Sequence, residues 1–99
     1  MQTNDIVIIS EQGLHAKPAD LFVRAANKYI CDIRIMNLTK NSRFENAKSI
    51  LKVLSLGIYK THHVRIKTDG IDEAQAISEL SYLISNDFRK EIVKKKKFL

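Results

Sequence analysis

The hydrophobic period of this chain switches back and forth between two residues and about 3.6, and that switching orders its elements before any motif is considered. The β-branched run Ile6-Val7-Ile8-Ile9, inside Asp5 to Ser10 and bounded by polar residues, reads as a short strand. From Ala16 to about Tyr29, Ala19, Phe22, Val23, Ala26 and Ile30 recur at steps of three and four, which predicts one apolar helical face. Asp32 to Leu38 alternates polar with apolar, so a half-buried strand follows. Thr39-Lys40-Asn41-Ser42 reads as a hairpin loop that lacks the Asn-Gly or Asp-Gly pair of tight turns, and a longer, more mobile connection into a short strand near Arg43 to Glu45 is expected. Ser49 is placed to cap a small helix bearing Ile50, Leu51, Val53 and Leu54, and Gly57 to close it with a positive φ. His62 to Lys67 alternates again. Asp69-Gly70 then turns toward a last helix with Ala74, Ile77, Leu80 and Ile84 on one side, a stripe that can be continued through Phe88 and Ile92. The order βαββαβα fits an α+β class, with helices on one face of a mostly antiparallel sheet.

At 99 residues the chain is long enough for one core, removing roughly 60–68 % of its unfolded surface from water. Residues 1–88 are expected to form the domain and residues 89–99 a basic extension. A single cysteine, Cys31, excludes an internal disulfide and a cysteine-rich metal site, and reads as a small buried apolar residue. Met1-Gln2-Thr3-Asn4 is no basic-then-apolar leader, and no apolar run approaches the ~18 residues of a membrane span, so a soluble, cytoplasmic protein is expected. Net charge is +6, much of it in Lys94-Lys95-Lys96-Lys97, which favours acidic surfaces, nucleic acid or anionic lipid without choosing among them. A nucleic-acid-binding module remains open on charge alone. Aromatic stacking platforms for it are thin, since Phe and Tyr are scattered among predicted core stripes.

Chemistry concentrates in Gly13-Leu14-His15-Ala16-Lys17-Pro18-Ala19. A helix start leaves backbone N–H groups unpaired and partly positive, so it stabilises phosphate oxygens. Lys17 adds a full charge, and Pro18 suits the first turn, where a missing N–H costs nothing. His15 stands just outside with an imidazole able to be nucleophilic near neutrality. A histidine in a loop before a helix is ordinarily just solvated. In this company it can take and give a phosphoryl group, with the Ala16 and Lys17 amides among the phosphate-binding donors. His62 and His63 do not suggest a metal, because neighbours in a strand point to opposite faces, and the chain has no CxxC, HExxH, P-loop or dinucleotide glycine pattern.

The segment from Gly13 to Ala19 resembles the active-site loop of HPr, the phosphocarrier family of the bacterial phosphoenolpyruvate:sugar phosphotransferase system, whose pattern reads G-L-H-x-R-P-A. Asn46 to Gly57 is similar to that family's regulatory-serine helix, and Thr68 to Ala74 to the turn that launches its last helix. The resemblance implies an open-faced β-sandwich and a monomer without cofactor or bound metal. It further implies that His15 accepts a phosphoryl group through Nδ1 from phospho-Enzyme I and passes it to sugar-specific Enzyme II A-type domains. A regulatory or nitrogen-branch relative outside sugar uptake is the alternative. Ser49 would be the site of an HPr kinase/phosphorylase, although N-capping alone, worth about 0.5–2 kcal/mol, explains a serine there. Lys17 stands where the family has arginine, an exchange of a planar fork for a point charge. Ile50, Leu51 and Leu54, framed by Lys48 and Lys52, exceed what so small a helix must bury and suit a partner surface; the plainer reading sends Ile50 and Leu54 to the core.

Overall fold

The computed structural model describes residues 1–89. Its elements are β1 (Gln2–Val7), α1 (Ala16–Ala26), β2 (Asp32–Asn37), β3 (Glu45–Asn46), α2 (Ile50–Ser55), β4 (His63–Asp69) and α3 (Glu73–Ser85). The expected βαββαβα order is therefore present. The strands form one antiparallel sheet in the order β1-β4-β2-β3, an open-faced sandwich whose helices cover one face.

Register decides which side chains meet those helices. Ile35 pairs with Ile66, Ile33 with Thr68 and Asn37 with Val64, and all six are buried. One residue along, Arg34 with Lys67 and Met36 with Arg65 occupy the open face. There Asp5 accepts two hydrogen bonds from Arg65, at 2.7 and 2.9 Å, which hold its carboxyl below the usual range. The core joins that inner face to Phe22, Ala26, Val53, Leu80 and Ile84 from the helices. Cys31 lies in it as expected, and burial pushes its thiol up to about 11.

Several boundaries differ from the periodicity reading. β1 runs Gln2–Val7 rather than Asp5 to Ser10, because an edge strand is held by backbone pairing with β4 and does not need apolar side chains. Past Val7, Ile8 donates to the His62 carbonyl at 2.9 Å and accepts from Thr61 N–H at 2.7 Å, where Thr61 has a positive φ of 76°. α1 stops at Ala26, where Asn27 donates side-chain hydrogen bonds to the carbonyls of Val23 at 2.9 Å and Lys48 at 3.1 Å. Ile30 therefore falls off the stripe and is 80 % exposed. β3 is Glu45–Asn46, slightly later than Arg43 to Glu45, and β4 begins at His63, leaving His62 outside. The Thr39 to Ser42 loop is tied down more than its composition suggests: Ser42 N–H donates to the Asn37 carbonyl at 3.0 Å, and Asn37 N–H to Ser42 Oγ at 2.9 Å.

In α3, Ile77, Leu80 and Ile84 are buried as expected, but Ala74 is exposed and Ala76 and Leu83 take the remaining inner positions. The helix does not continue through Phe88. Asp87 and Phe88 turn left-handed, with φ of 53° and 61°, and their N–H groups return to the carbonyls of Ile84 at 3.1 Å and Leu83 at 2.8 Å. That pattern satisfies the last carbonyls and folds Phe88 back onto the core. Ile92 and the lysine run Lys94 to Lys97 lie outside the described residues, as does nearly all of the 89–99 extension.

Candidate functional site

The chain leaves β1 through Ile8, buried like Ser10, and turns at Gly13, whose φ is 65°. Leu14, fully buried, anchors the loop from below, and its N–H donates to the Ile58 carbonyl at 3.0 Å. His15 is next. It is extended, at φ −131° and ψ 165°, and forms the N-cap of α1 without a capping hydrogen bond from its side chain. Ala16 then adopts a left-handed φ of 51°, which for a residue with a Cβ costs on the order of 1–2 kcal/mol. The kink separates the direction of His15 from that of the helix it introduces.

The first carbonyl bond of the helix runs from Ala19 N–H to His15 at 3.5 Å. Ala16 and Lys17 N–H therefore have no carbonyl partner, and Pro18 has no N–H to satisfy. Lys17 is exposed and pairs with no carboxylate among the described residues. Beside it an open groove of about 470 Å³ runs between Lys17, Pro18, Leu21 and the end of α3 at Asp87 and Phe88. The imidazole is half-buried. Its Nε2 is shut off from water and has no hydrogen-bond partner among the described residues. Nδ1 is not shut off in this way and bonds no group among the described residues, so it is the ring nitrogen open to an incoming group. One cation, two free amides and an accessible imidazole nitrogen thus meet at one helix start.

Ser49, extended at the head of α2, accepts a hydrogen bond from Lys52 N–H at 3.3 Å and caps the helix. Gly57 closes α2 with φ 57°. Only Val53 of α2 is fully buried. Leu51 is 76 % exposed, whereas Ile50 at 39 % and Leu54 at 37 % are divided between the core side and the surface, so the core and partner readings each hold in part for them. Lys48 donates through Nζ to the Tyr29 carbonyl, leaving Lys52 as the freer cation beside the patch. The patch and His15 are joined physically. α2 ends at Ser55, Gly57 turns the chain, and Ile58 receives the Leu14 N–H of the loop. At the other end Asn27 of α1 holds the carbonyl of Lys48, so α1 and α2 run side by side in opposite directions.

The sequence reading missed two residues. Tyr59 stacks on His15, and Asn37, fully buried on the inner face of β2, bonds the end of α2. Tyr59 sits two residues past a helix-stopping glycine with no periodic signal. Asn37 occupies an inward position of the alternation that a sequence alone would assign to an apolar side chain.

A family model described as the PTS HPr component phosphorylation site matches residues 2–86. The chain belongs to the HPr family. HPr proteins are the phosphocarriers of the phosphotransferase system. The multiphosphoryl transfer protein of Haemophilus influenzae is 36 % identical over 80 residues, which cover 81 % of this chain and 16 % of that relative, so the chain spans about a sixth of its length. HPr-C-His from Thermoanaerobacter tengcongensis superposes with a TM-score of 0.84 at 39 % identity, covering 89 % of this chain and 96 % of that one. The phosphocarrier protein HPr from Bacillus anthracis gives 0.78 at 32 % identity, covering 84 % and 95 %. The described part of this HPr has no helix long and apolar enough to cross a membrane, and among the described residues no cluster of His, Cys, Asp or Glu could hold a metal ion.

Proposed function

We propose that this HPr is a cytoplasmic, monomeric phosphocarrier that accepts a phosphoryl group on His15 Nδ1 from phospho-Enzyme I and delivers it to an Enzyme II A-type domain. The single observation that supports this most is the arrangement at the start of α1, where the accessible imidazole nitrogen sits beside unpartnered amides and the Lys17 ammonium. The Nδ1 lone pair attacks phosphorus as the donor's N–P bond breaks, and that bond's electron pair returns to the donor imidazole. No proton need be gained or lost. The transition state is loose and its charge spreads over the peripheral oxygens, so positioning and charge stabilisation do most of the work. Ala16 and Lys17 N–H and the Lys17 ammonium supply that stabilisation. Incubation with phosphoenolpyruvate and Enzyme I tests the proposal. An acid-labile, base-stable phosphate is expected on the chain; strong nucleic-acid binding with no label would defeat it in favour of the basic-module reading.

Lys17 gives a rotatable point charge where a guanidinium would give a planar fork. Lys17→Arg is therefore expected to change the rate of transfer with cognate partners by at least about twofold, equivalent to a few tenths of a kcal/mol. Kinetics identical to the parent would end the idea that this lysine retunes the site.

Ser49 supports a second reading, regulation by phosphorylation at the head of α2 by an HPr kinase/phosphorylase. Its hydroxyl caps the helix beside Ile50, Leu51, Lys52 and Leu54, which we assign to partner docking. A phosphate there is compatible with the helix dipole yet adds about −1.5 to −2 charge to the surface. Ser49→Asp keeps a good capping residue, so thermal stability should hold while affinity for Enzyme I falls roughly 5–10-fold. Unchanged affinity in a binding titration would count against the reading.

A further inference from the structure

Catalytic histidines are ordinarily oriented by a hydrogen bond to the nitrogen that does not react. His15 has none, because its Nε2 is buried without a partner. What restrains the ring is packing. The Tyr59 ring lies 4.8 Å from the imidazole, centroid to centroid, tilted by 34°, within the range where offset aromatic pairs attract.

Burial does not account for Tyr59. It is 55 % exposed, and its hydroxyl bonds no group among the described residues. It is nevertheless gripped from several directions. Its N–H donates to His62 Nδ1 at 3.1 Å, and the His62 ring stands edge-on to it at 5.8 Å and 86°. The side-chain amide of Asn37 reaches the same His62 nitrogen at 3.2 Å while donating to the Leu56 carbonyl at 3.1 Å. With two donors converging on it, His62 Nδ1 is the unprotonated acceptor. Lys40 places its Nζ 5.4 Å from the Tyr59 ring centre, over the face.

We propose that Tyr59 is the positioning residue of the phosphoryl-transfer site, holding the His15 imidazole with Nδ1 outward, and that Asn37 and His62 hold Tyr59 in turn. This rests on the reading of His15 as the phosphoryl acceptor. Without the ring, the imidazole is free to turn about its two side-chain bonds, and the fraction of encounters with Nδ1 aligned on phosphorus falls. The hydroxyl has no part in this, so phenylalanine should serve as well as tyrosine.

The test uses the full chain with phosphoenolpyruvate and Enzyme I, varying the carrier concentration. Tyr59→Leu is expected to lower kcat for phosphoryl acceptance about tenfold with KM within about twofold of the parent. Tyr59→Phe is expected to restore kcat. In proton NMR of the unphosphorylated proteins, the ring-current shift on the His15 ring protons should persist in Tyr59→Phe and vanish in Tyr59→Leu. A Tyr59→Leu protein with parental kcat, or one altered only in KM, overturns the proposal, the latter making Tyr59 a docking residue. A parent chain that takes no label defeats the reading of His15 and the proposal with it, a result distinct from a labelled parent and an equally labelled Tyr59→Leu.

Discussion

His15→Ala is expected to take up no acid-labile phosphate, a fall of at least about 10³-fold that reaches the background of the assay, while the protein stays folded. The chemical half of this expectation follows from what else the chain could offer. His62 Nδ1 is occupied by the Tyr59 N–H and the Asn37 amide, and His63, paired with Val7 at the start of β4, is not at a helix start. Neither can replace a nitrogen set against free amides. The structural half follows from the missing cap. The His15 side chain makes no capping hydrogen bond, and its Nε2 is buried with nothing to bond, so truncation removes an unsatisfied polar atom along with one ring contact. Those effects oppose each other, and stability should change by less than about 1 kcal/mol. Labelling with phosphoenolpyruvate and Enzyme I, alongside urea unfolding, checks both halves. Persistent acid-labile label would show that another residue is the acceptor.

Gly13→Ala should have the opposite character, damaging the fold first and the chemistry through it. A Cβ at Gly13 would lie 2.3 Å from the Ile58 carbonyl oxygen and 2.7 Å from Tyr59 Cα, both backbone atoms that cannot swing aside. The φ of 65° adds the left-handed penalty of a side-chain-bearing residue. Relief requires moving the loop from the α2–β4 connection, which breaks the Leu14 to Ile58 hydrogen bond and parts His15 from Tyr59. Together these should cost about 2–5 kcal/mol, a large share of an ordinary domain's stability. Denaturant unfolding measures it. A loss below about 1 kcal/mol would mean that the loop is not pinned against Ile58.

The polypeptide announces much of this arrangement in advance. Alternation from Asp32 to Asn37 and from His63 to Thr68 is legible because one sheet face is dry and the other wet, a contrast that period two records directly. Ser49 and Gly57 bracket α2 as their local chemistry requires, a hydroxyl for an orphan amide and a residue free to turn left-handed. The loop from Gly13 to Ala19 is legible for a similar reason, since helix-start amides, a proline and a lysine act within a few residues of one another. Elsewhere local pattern misleads. Ile30 belongs to the helical stripe by spacing but lies beyond a helix that Asn27 has already ended by reaching across to Lys48. The α3 stripe reads on through Phe88, yet two left-handed residues fold Phe88 back instead.

What the residue order determined by itself is the set of local structures and the place of the candidate site: strands and helices by hydrophobic period, helix ends by capping chemistry, and His15 as the proposed acceptor by the company of Lys17 and Pro18. Only the tertiary structure decided which imidazole nitrogen faces water, that Tyr59 rather than a hydrogen bond steadies the ring, and that a buried asparagine of β2 holds that tyrosine through His62. The His15–Tyr59 and Asn37–His62 contacts join residues 44 and 25 positions apart along the chain. Capping and periodicity act within a turn or a strand, whereas ring packing and shared acceptors exist only once sheet pairing has brought the segments together.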